Sequence, residues 1–359
     1  MTNTLHGLIN ELANRSPAIA KMNLASSIAD ATLSGKLLNL ANNKPDLDRV
    51  SRAVEVLLAK GGLSPADAET SVRQLVSERH FYGAFCELAT YDWLDRHDVA
   101  FQAQVKLAGS EVLNPNGCTI DGQFTVIDGY FDIKGMGFEA YVAEQFRDAL
   151  EKQLPGFDVV VDGPMDIAVK DIEAHAFSQL PALKTKLAKG GIESIPDLGW
   201  TVRAQQPQRV TTSTHTTDPY LQAAENRYYP FKTAGQFSRK APFVLIFTYS
   251  HQFNQSLSVN FAGMSDIMLR SLARRAFIQL TADQSPAATH DKQVAAGTLI
   301  ADAAKLLSGL LFINSDSDEA WLFVNPRATH KLTEYHLKQL FDFNLPASLA
   351  VDDFAHDNY

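Results

Sequence analysis

The sequence predicts a mixed α/β protein, and three observations support this prediction. Apolar residues recur at helical spacing before Val76, as in Val50, Val54 and Leu57. Apolar and polar residues then alternate, as in β-strands, at several places between Val99 and Gly135. Helix-like and strand-like segments are interspersed through the rest of the chain, which has 359 residues, of which 45% are hydrophobic. A chain of this length and composition can bury the cores of two or three domains.

The predicted elements divide the chain into three regions. Residues 1–76 form a helical N-terminal region, in which Ser64 and Pro65 mark a helix start. Residues 77–165 form an α/β core. Residues 166–359 form a mixed α/β region that we interpret as an extension for binding substrate or a partner.

The core is predicted to begin with a helix, continue through three strands and end with a second helix and a fourth strand. These elements are Phe81–Arg96, Val99–Leu107, Cys118–Ile127, Tyr130–Gly135, Phe138–Leu154 and Phe157–Val161. Asp128-Gly129 lies between two alternating segments, where this dipeptide favours a hairpin turn. The predicted order is αβββαβ.

Three polar side chains are expected on one face of this hairpin. The second strand alternates so that Asp121 lies opposite the apolar face, and in the third strand Asp132 and Lys134 alternate with apolar residues. In an antiparallel hairpin closed at Asp128-Gly129, odd residues of one strand share a face with even residues of the other. Two carboxylates and an amine therefore converge on one surface.

These residue types suit hydrolysis of a phosphodiester. That reaction needs a cation, oxygen ligands that hold it, and a group that orients or activates water. Asp121 and Asp132 can supply the ligands, and Lys134 can bind the scissile phosphate or the attacking water. Glu87, on the preceding helix, is a further carboxylate that could complete the metal shell. Asp128 is the rival aspartate, although its position before Gly129 favours a role in the turn.

On these residues the chain resembles the PD-(D/E)XK nuclease superfamily, which includes restriction and DNA-repair enzymes. The resemblance covers Phe81 to Val161 and implies a restriction-endonuclease-like core. It implies Mg²⁺ as the cofactor, with Mn²⁺ as a substitute, and DNA as the substrate, in restriction or in defence against foreign DNA. It assigns metal binding to Asp121, Asp132, the carbonyl of Ile133 and, directly or through water, Glu87, with Lys134 catalytic. The chain departs from the family pattern at Ile120, where a proline is usual.

The register of the hairpin decides whether the carboxylates meet. A two-residue turn at Asp128-Gly129 pairs Asp121 with Met136, which lies roughly 13 Å along the strand from Asp132. A bulge, or a longer loop over Thr125 to Asp128, moves the register by an even number and brings the two carboxylates together on the same face.

A basic segment rich in aromatic residues suggests where nucleic acid binds. Between Trp200 and Pro242, basic residues outnumber acidic ones and alternate with Tyr228, Tyr229 and other rings. The alternative is a surface loop whose aromatics are packed. The candidate nucleic-acid contacts are Gln123, Arg203, Arg209, Arg227, Lys232, Arg239 and Lys240. A second stripe at Arg270, Arg274 and Arg275 is interpreted as a solvated helix face rather than a binding surface.

Composition, charge and the absence of certain motifs argue against several other classes of protein. The net charge of −9 argues against a surface covered in basic patches, although a local groove is compatible with it. Cys86 and Cys118 have no zinc or disulfide spacing, which favours a reducing compartment, and no leader or membrane span is evident. We expect a cytoplasmic protein with no membrane partner. The sequence has no phosphate-binding loop for ATP, no GxSxG elbow and no zinc histidine motif.

Two other functions stay open at this point. The core could be a catalytically inactive scaffold that mediates interactions, or the nuclease could act on RNA, because the hydrolytic chemistry is the same. A homodimer and a separate partner protein are both compatible with the sequence.

Overall fold

The computed structural model describes residues 3–33, 35–77, 80–137, 146–163, 169–206, 219–253 and 265–357. The chain divides into two compact units. The main unit comprises Met1–Met136, Asp218–Phe253 and Gly263–Tyr359, and the inserted unit comprises Gly137–Thr217 and Asn254–Ala262. These units follow different boundaries from the three regions expected at 1–76, 77–165 and 166–359.

The N-terminal part of the main unit is helical, as predicted. Its helices are α1 (Leu5–Arg15), α2 (Pro17–Met22), α3 (Gly35–Asn42), α4 (Lys44–Ala59) and α5 (Pro65–Leu75). Local chemistry explains where they begin, because the side chains of Ser16, Asn43 and Ser64 each accept a bond from a backbone N–H in the first turn. The predicted start at Ser64 and Pro65 is confirmed.

Helix α6 spans Phe81–Arg96, the range expected from the sequence. It is buried on nearly all sides and contacts α4, α5 and the sheet, including the third strand. A helix that is buried on nearly all sides is stable only inside a core, so α6 belongs to the core of the main unit.

Ten strands occur in the described residues. They are β1 (Phe101–Leu107), β2 (Cys118–Phe124), β3 (Gly129–Gly135), β4 (Asp158–Asp162), β5 (Gly191–Ile195), β6 (Trp200–Gln205), β7 (Phe243–Tyr249), β8 (Leu307–Asn314), β9 (Ala320–Val324) and β10 (Leu349–Asp352). Seven of them form one mixed sheet in the order β1-β2-β3-β7-β8-β9-β10. The pairs β3–β7, β7–β8 and β9–β10 are parallel and the other pairs are antiparallel. The protein is therefore mixed α/β.

The fourth strand of the predicted core belongs to a different sheet. A strand does form near Phe157–Val161, but this strand, β4, pairs with β6 in a three-stranded sheet of order β4-β6-β5. The position next to β3 is taken by β7, whose residues are all buried, as expected for a parallel strand covered on both faces. The prediction of a contiguous αβββαβ core at 77–165 is therefore wrong, because its expected last strand, β4, belongs to the other sheet and β7, from much later in the chain, lies next to β3.

The inserted unit has its own core. Its sheet packs with helices α7 (Val169–His175) and α8 (Leu180–Leu187) around buried apolar residues that include Phe146 and Trp200. The predicted helix Phe138–Leu154 is helical at residues 146–151, and its first part lies outside the described residues.

The remaining helices belong to the main unit. They are α9 (Pro219–Glu225), α10 (Ser265–Arg274), α11 (Ile300–Leu306) and α12 (Glu334–Leu340). Antiparallel β8 and β9 form a hairpin across residues 315–319. No helix in the described parts of the chain has the length and apolar character needed to cross a membrane.

Candidate active site

The hairpin of β2 and β3 places Asp121 opposite Asp132. Gly122 pairs with Phe131 and Phe124 with Gly129, so the loop between the strands covers residues 125–128. The two-residue turn at Asp128-Gly129 is therefore absent, and the longer loop, one of the two expected alternatives, occurs. Continuing this register by one residue brings Asp121 level with Asp132, and alternation puts both on the same face. Asp128 lies exposed in the loop.

The two strands separate at this point. Their ladder ends at Gly122 and Phe131, and beyond it the carboxylate of Asp121 accepts a hydrogen bond of 2.7 Å from the backbone N–H of Ile133. The N–H and C=O of one residue in an extended strand point to the same side, so the carbonyl of Ile133 also faces β2. A side-chain carboxylate and a backbone carbonyl thus share the gap between the strands.

Asp132 is a buried carboxylate with few compensating contacts. Its side chain is 1% exposed, and the amine of Lys134 lies 2.5 Å from its Oδ2. Neither carboxylate oxygen accepts a well-directed hydrogen bond from the described residues. Burial, reinforced by the charge of Asp121, raises the pKa of Asp132 well above its usual range, although Lys134 opposes that shift.

Lys134 is the cation of the group and keeps access to solvent, because its side chain is 32% exposed. Burial lowers the pKa of its amine, but Asp132, Asp121 and Glu87 outweigh burial, so the net pKa is raised. The amine is therefore positively charged at neutral pH.

Glu87 joins the same electrostatic cluster from helix α6. Burial and, to a smaller extent, the charge of Asp121 raise the pKa of its carboxyl to about 8, against the opposing effect of Lys134. All four catalytic residues expected from the sequence, Glu87, Asp121, Asp132 and Lys134, thus act on one another in the structure.

Two further residues contact Asp121 and were missed from the sequence. The hydroxyl of Tyr91 donates a 2.8 Å hydrogen bond to the backbone carbonyl of Asp121, and the amide of Gln104 lies 3.4 Å from Oδ1 of Asp121. Tyr91 follows Glu87 by one helical turn on α6, a spacing that could have identified it. Gln104 has no such signal, because its role depends on an unusual backbone conformation within β1.

The candidate nucleic-acid contacts fall in separate parts of the fold. Lys232 lies over the ring of Tyr229 at 5.0 Å, and the hydroxyl of Tyr229 is 3.5 Å from the carbonyl of Gly135, the residue after Lys134. Arg227 lies 4.7 Å over the ring of Tyr228. These two cations are in the main unit and belong to the segment that approaches the end of β3.

The other candidates have different surroundings. Lys240 forms a 2.9 Å ion pair with Glu111, and Arg203 is in the inserted unit, 3.5 Å from Asp162. Arg239 contributes backbone groups to bonds with Glu111 and His330. Gln123 is paired within β2 between β1 and β3, and Arg209 lies outside the described residues. The segment from Trp200 to Pro242 is thus distributed over two units rather than forming one continuous loop.

Two of the three arginines of the second stripe, Arg270 and Arg274 on α10, have acidic partners. Arg270 pairs with Asp352 at 2.6 Å and with Asp357 at 2.7 Å. Arg274 also pairs with Asp357, at 2.7 Å. These contacts fasten the C-terminal segment to the helix.

The chemistry of the cluster suits a hard cation. Asp132 has two buried oxygens without directed hydrogen bonds, and Asp121 and the carbonyl of Ile133 face the same gap. Oxygen ligands of this kind are those that Mg²⁺ prefers. Within the described ranges, no three His, Cys, Asp or Glu side chains form a group arranged to hold a metal ion. The available donor set is therefore two carboxylates and a backbone carbonyl, with Glu87 nearby.

Comparison with protein-family models, with curated proteins and with solved structures found no match to this chain.

Proposed function

We propose that this chain is a magnesium-dependent nuclease of the PD-(D/E)XK type that hydrolyses phosphodiester bonds in DNA. Its active site comprises Glu87, Asp121, Asp132 and Lys134. The observation that carries the proposal is the register of the hairpin, which sets Asp121 level with Asp132 where the strands part. A solvated hairpin with alternating charges requires neither a buried aspartate nor a strand fork at that position.

Each residue has a role that follows from its contacts. Asp121, Asp132 and the carbonyl of Ile133 hold the cation, and bound Mg²⁺ supplies neutralisation of the charge that develops on the phosphate. The amine of Lys134, next to Asp132 Oδ2, binds the scissile phosphate or orients the attacking water. Glu87 assists directly or through a water molecule, since its pKa responds to the charges of Asp121 and Lys134.

The DNA preference is part of the proposal and rests on the resemblance. Lys232 and Arg227 each lie beside a tyrosine ring, and the ring next to Lys232 contacts Gly135 at the end of β3, so these two cations are the ones that we propose contact the phosphates. Restriction or defence against foreign DNA is the biological role that we propose for this activity. RNA is the competing substrate, and parallel digestion of both nucleic acids distinguishes the two.

Plasmid cleavage tests the proposal. Supercoiled DNA is incubated with the wild type, Lys134→Ala or Lys106→Ala, each in magnesium and in EDTA. Lys106 is the matched control because it is an exposed lysine on β1. We expect nicking by the wild type and by Lys106→Ala in magnesium only, and a loss of about 10²-fold or more for Lys134→Ala. Equal cleavage by the two lysine variants would remove Lys134 from the active site.

One observation favours a noncatalytic scaffold as a second candidate. The amine of Lys134 already lies 2.5 Å from Asp132, so an ion pair alone can compensate the buried charge. Calorimetric titration with Mg²⁺ separates the candidates. Binding that disappears in Asp121→Asn supports the nuclease, whereas no binding by the wild type supports the scaffold.

A further inference from the structure

Gln104 adopts a backbone conformation that is rare inside a strand. Its φ angle is +53°, in the left-handed region, although it lies in the middle of β1. The ladder with β2 pairs Ala103 with Gly122 and Val105 with Ile120, and it omits the pair between Gln104 and Asp121. Non-glycine residues held in this region are strained and persist only where their surroundings enforce the conformation. The strain falls opposite a proposed metal ligand.

The side chain of Gln104 is directed at that ligand. Its Nε2 is 3.4 Å from Oδ1 of Asp121, while Oδ2 of the same carboxylate accepts the hydrogen bond from Ile133. The two oxygens of Asp121 are thus approached from two different strands. The Gln104 side chain is also within hydrogen-bonding reach of the Tyr91 hydroxyl, which donates to the Asp121 carbonyl. Three donors therefore surround one residue.

An irregular edge strand is the simpler explanation of the backbone alone. β1 lies at the edge of the seven-stranded sheet, where bulges discourage pairing with other chains. Glycine adopts positive φ without strain, however, and would serve that purpose at this exposed position. A glycine could not make the contact with Asp121, whereas the carboxamide of Gln104 does.

We propose that Gln104 is a positioning residue whose carboxamide, together with the N–H of Ile133, fixes the orientation in which Asp121 binds the metal. The inference rests on the proposed function and extends it to a residue that touches the ligand rather than the substrate. Partners that orient a metal ligand in this way typically contribute about 10- to 100-fold to metal affinity.

Mg²⁺ binding to the full chain, measured by calorimetry, tests the inference with Gln104→Gly, Gln104→Ala and Gln102→Ala. Gln102 is the matched control, because it is an exposed glutamine on the same strand in regular pairing with Gln123. We expect both Gln104 variants to bind Mg²⁺ about 10- to 100-fold more weakly and Gln102→Ala to bind as the wild type does.

Thermal unfolding separates this role from a structural one. Gln104→Gly relieves the backbone strain, so its melting temperature should equal or exceed that of the wild type while its Mg²⁺ affinity falls. Unchanged Mg²⁺ affinity in Gln104→Gly, with binding by the wild type intact, overturns the role of Gln104 alone. Absence of Mg²⁺ binding by the wild type overturns the proposed function and this inference with it.

Discussion

The carboxylate of Asp121 accepts a hydrogen bond of 2.7 Å from the backbone N–H of Ile133. A side chain therefore takes the place that a strand carbonyl would have if the ladder of β2 and β3 continued past Gly122 and Phe131. Because this bond uses Oδ2, the carboxylate is held next to the main chain of β3, between Asp132 and Lys134. Separation of the strands and convergence of the charged groups are consequences of the same contact.

Substitution of Asp132 should change stability and activity in opposite directions. Its buried carboxylate has no well-directed hydrogen bond among the described residues, so Asp132→Asn should remove an unfavourable buried charge. We expect the free energy of unfolding in the absence of metal to rise by ~1 kcal/mol or more in urea titrations, because the remaining Lys134 can be hydrated. Magnesium-dependent cleavage should fall by about 10²-fold or more in the same variant.

A control on the same strand makes this result interpretable. Tyr130 lies on the same face of β3 and is partly exposed, so Tyr130→Phe should change neither quantity by a comparable amount. A lower stability for Asp132→Asn would contradict the prediction and would indicate that the ion pair with Lys134 stabilises the fold.

The sequence predicted the face on which the site lies more accurately than the strand pairing around it. Alternation in β2 and β3 is local, so it placed Asp121, Asp132 and Lys134 on one face without knowledge of the turn. The two-residue turn at Asp128-Gly129 was wrong and the longer loop, the other register left open, was right, because Ile127 is buried in the loop rather than paired in the hairpin ladder. The chemistry of Asp128-Gly129 alone therefore could not determine the register.

The local sequence pattern could not predict which strand lies next to β3. The segment that forms β4 was correctly predicted as a strand, but its partner depends on packing between residues far apart in the chain. β7 is apolar at nearly every position and contacts α6 and β8, whereas β4 has one buried residue, Val159, and pairs with β6. Helix α6 was predicted well because its length and burial are properties of its own sequence.

Two glycines provide a matched test of the packing that maintains the register. A Cβ atom at Gly122 would lie 2.3 Å from the ring of Phe131 and 2.8 Å from the carbonyl of Gln102, and the carbonyl cannot move without disturbing β1. We expect Gly122→Ala to lower the free energy of unfolding by about 1–3 kcal/mol. Gly83, on α6, has open space around the added atom, so Gly83→Ala should raise stability by ~0.5–1 kcal/mol.

Chemical denaturation of the two variants beside the wild type measures both effects. The prediction about register fails if Gly122→Ala is as stable as Gly83→Ala. Such a result would mean that β2 and Phe131 can shift apart without loss of packing.

Two aspartates on α6 separate a buried ion-pair network from an exposed one. Asp92, whose side chain is 2% exposed, accepts two bonds from Arg52, at 2.8 Å and 3.1 Å, and one of 2.8 Å from Arg96. Asp92→Asn should lower the free energy of unfolding by about 2–3 kcal/mol, because the buried side chain loses its charge and one of the two oxygens that accept from the arginines. Asp95 pairs with the exposed Lys60, so Asp95→Asn should change stability by less than about 1 kcal/mol.

Thermal or urea unfolding of both variants at low and high salt provides the check. The exposed pair should lose its effect as salt increases, and the buried network should keep most of its own. Equal destabilisation by the two substitutions would show that burial of Asp92 does not determine the strength of the network.

Ionisation of Asp46 should make the stability of the fold depend on pH, whether or not the proposed activity is correct. Burial, with a smaller effect of the charge of Asp316, raises the pKa of this carboxyl from 3.8 to about 6, although Arg49 opposes the shift. At a pH between these two pKa values, the native state keeps a proton that the unfolded chain releases. The stability that Asp46 contributes is therefore greatest below pH 3.8 and is lost as the pH rises through 6. This loss is on the order of 3 kcal/mol.

Asp46→Asn lacks the titrating group, so its stability relative to the wild type should increase by that amount between pH 4 and pH 7. Urea unfolding of both proteins across this range measures the difference, and parallel stability curves would show that Asp46 keeps an ordinary pKa in the folded protein.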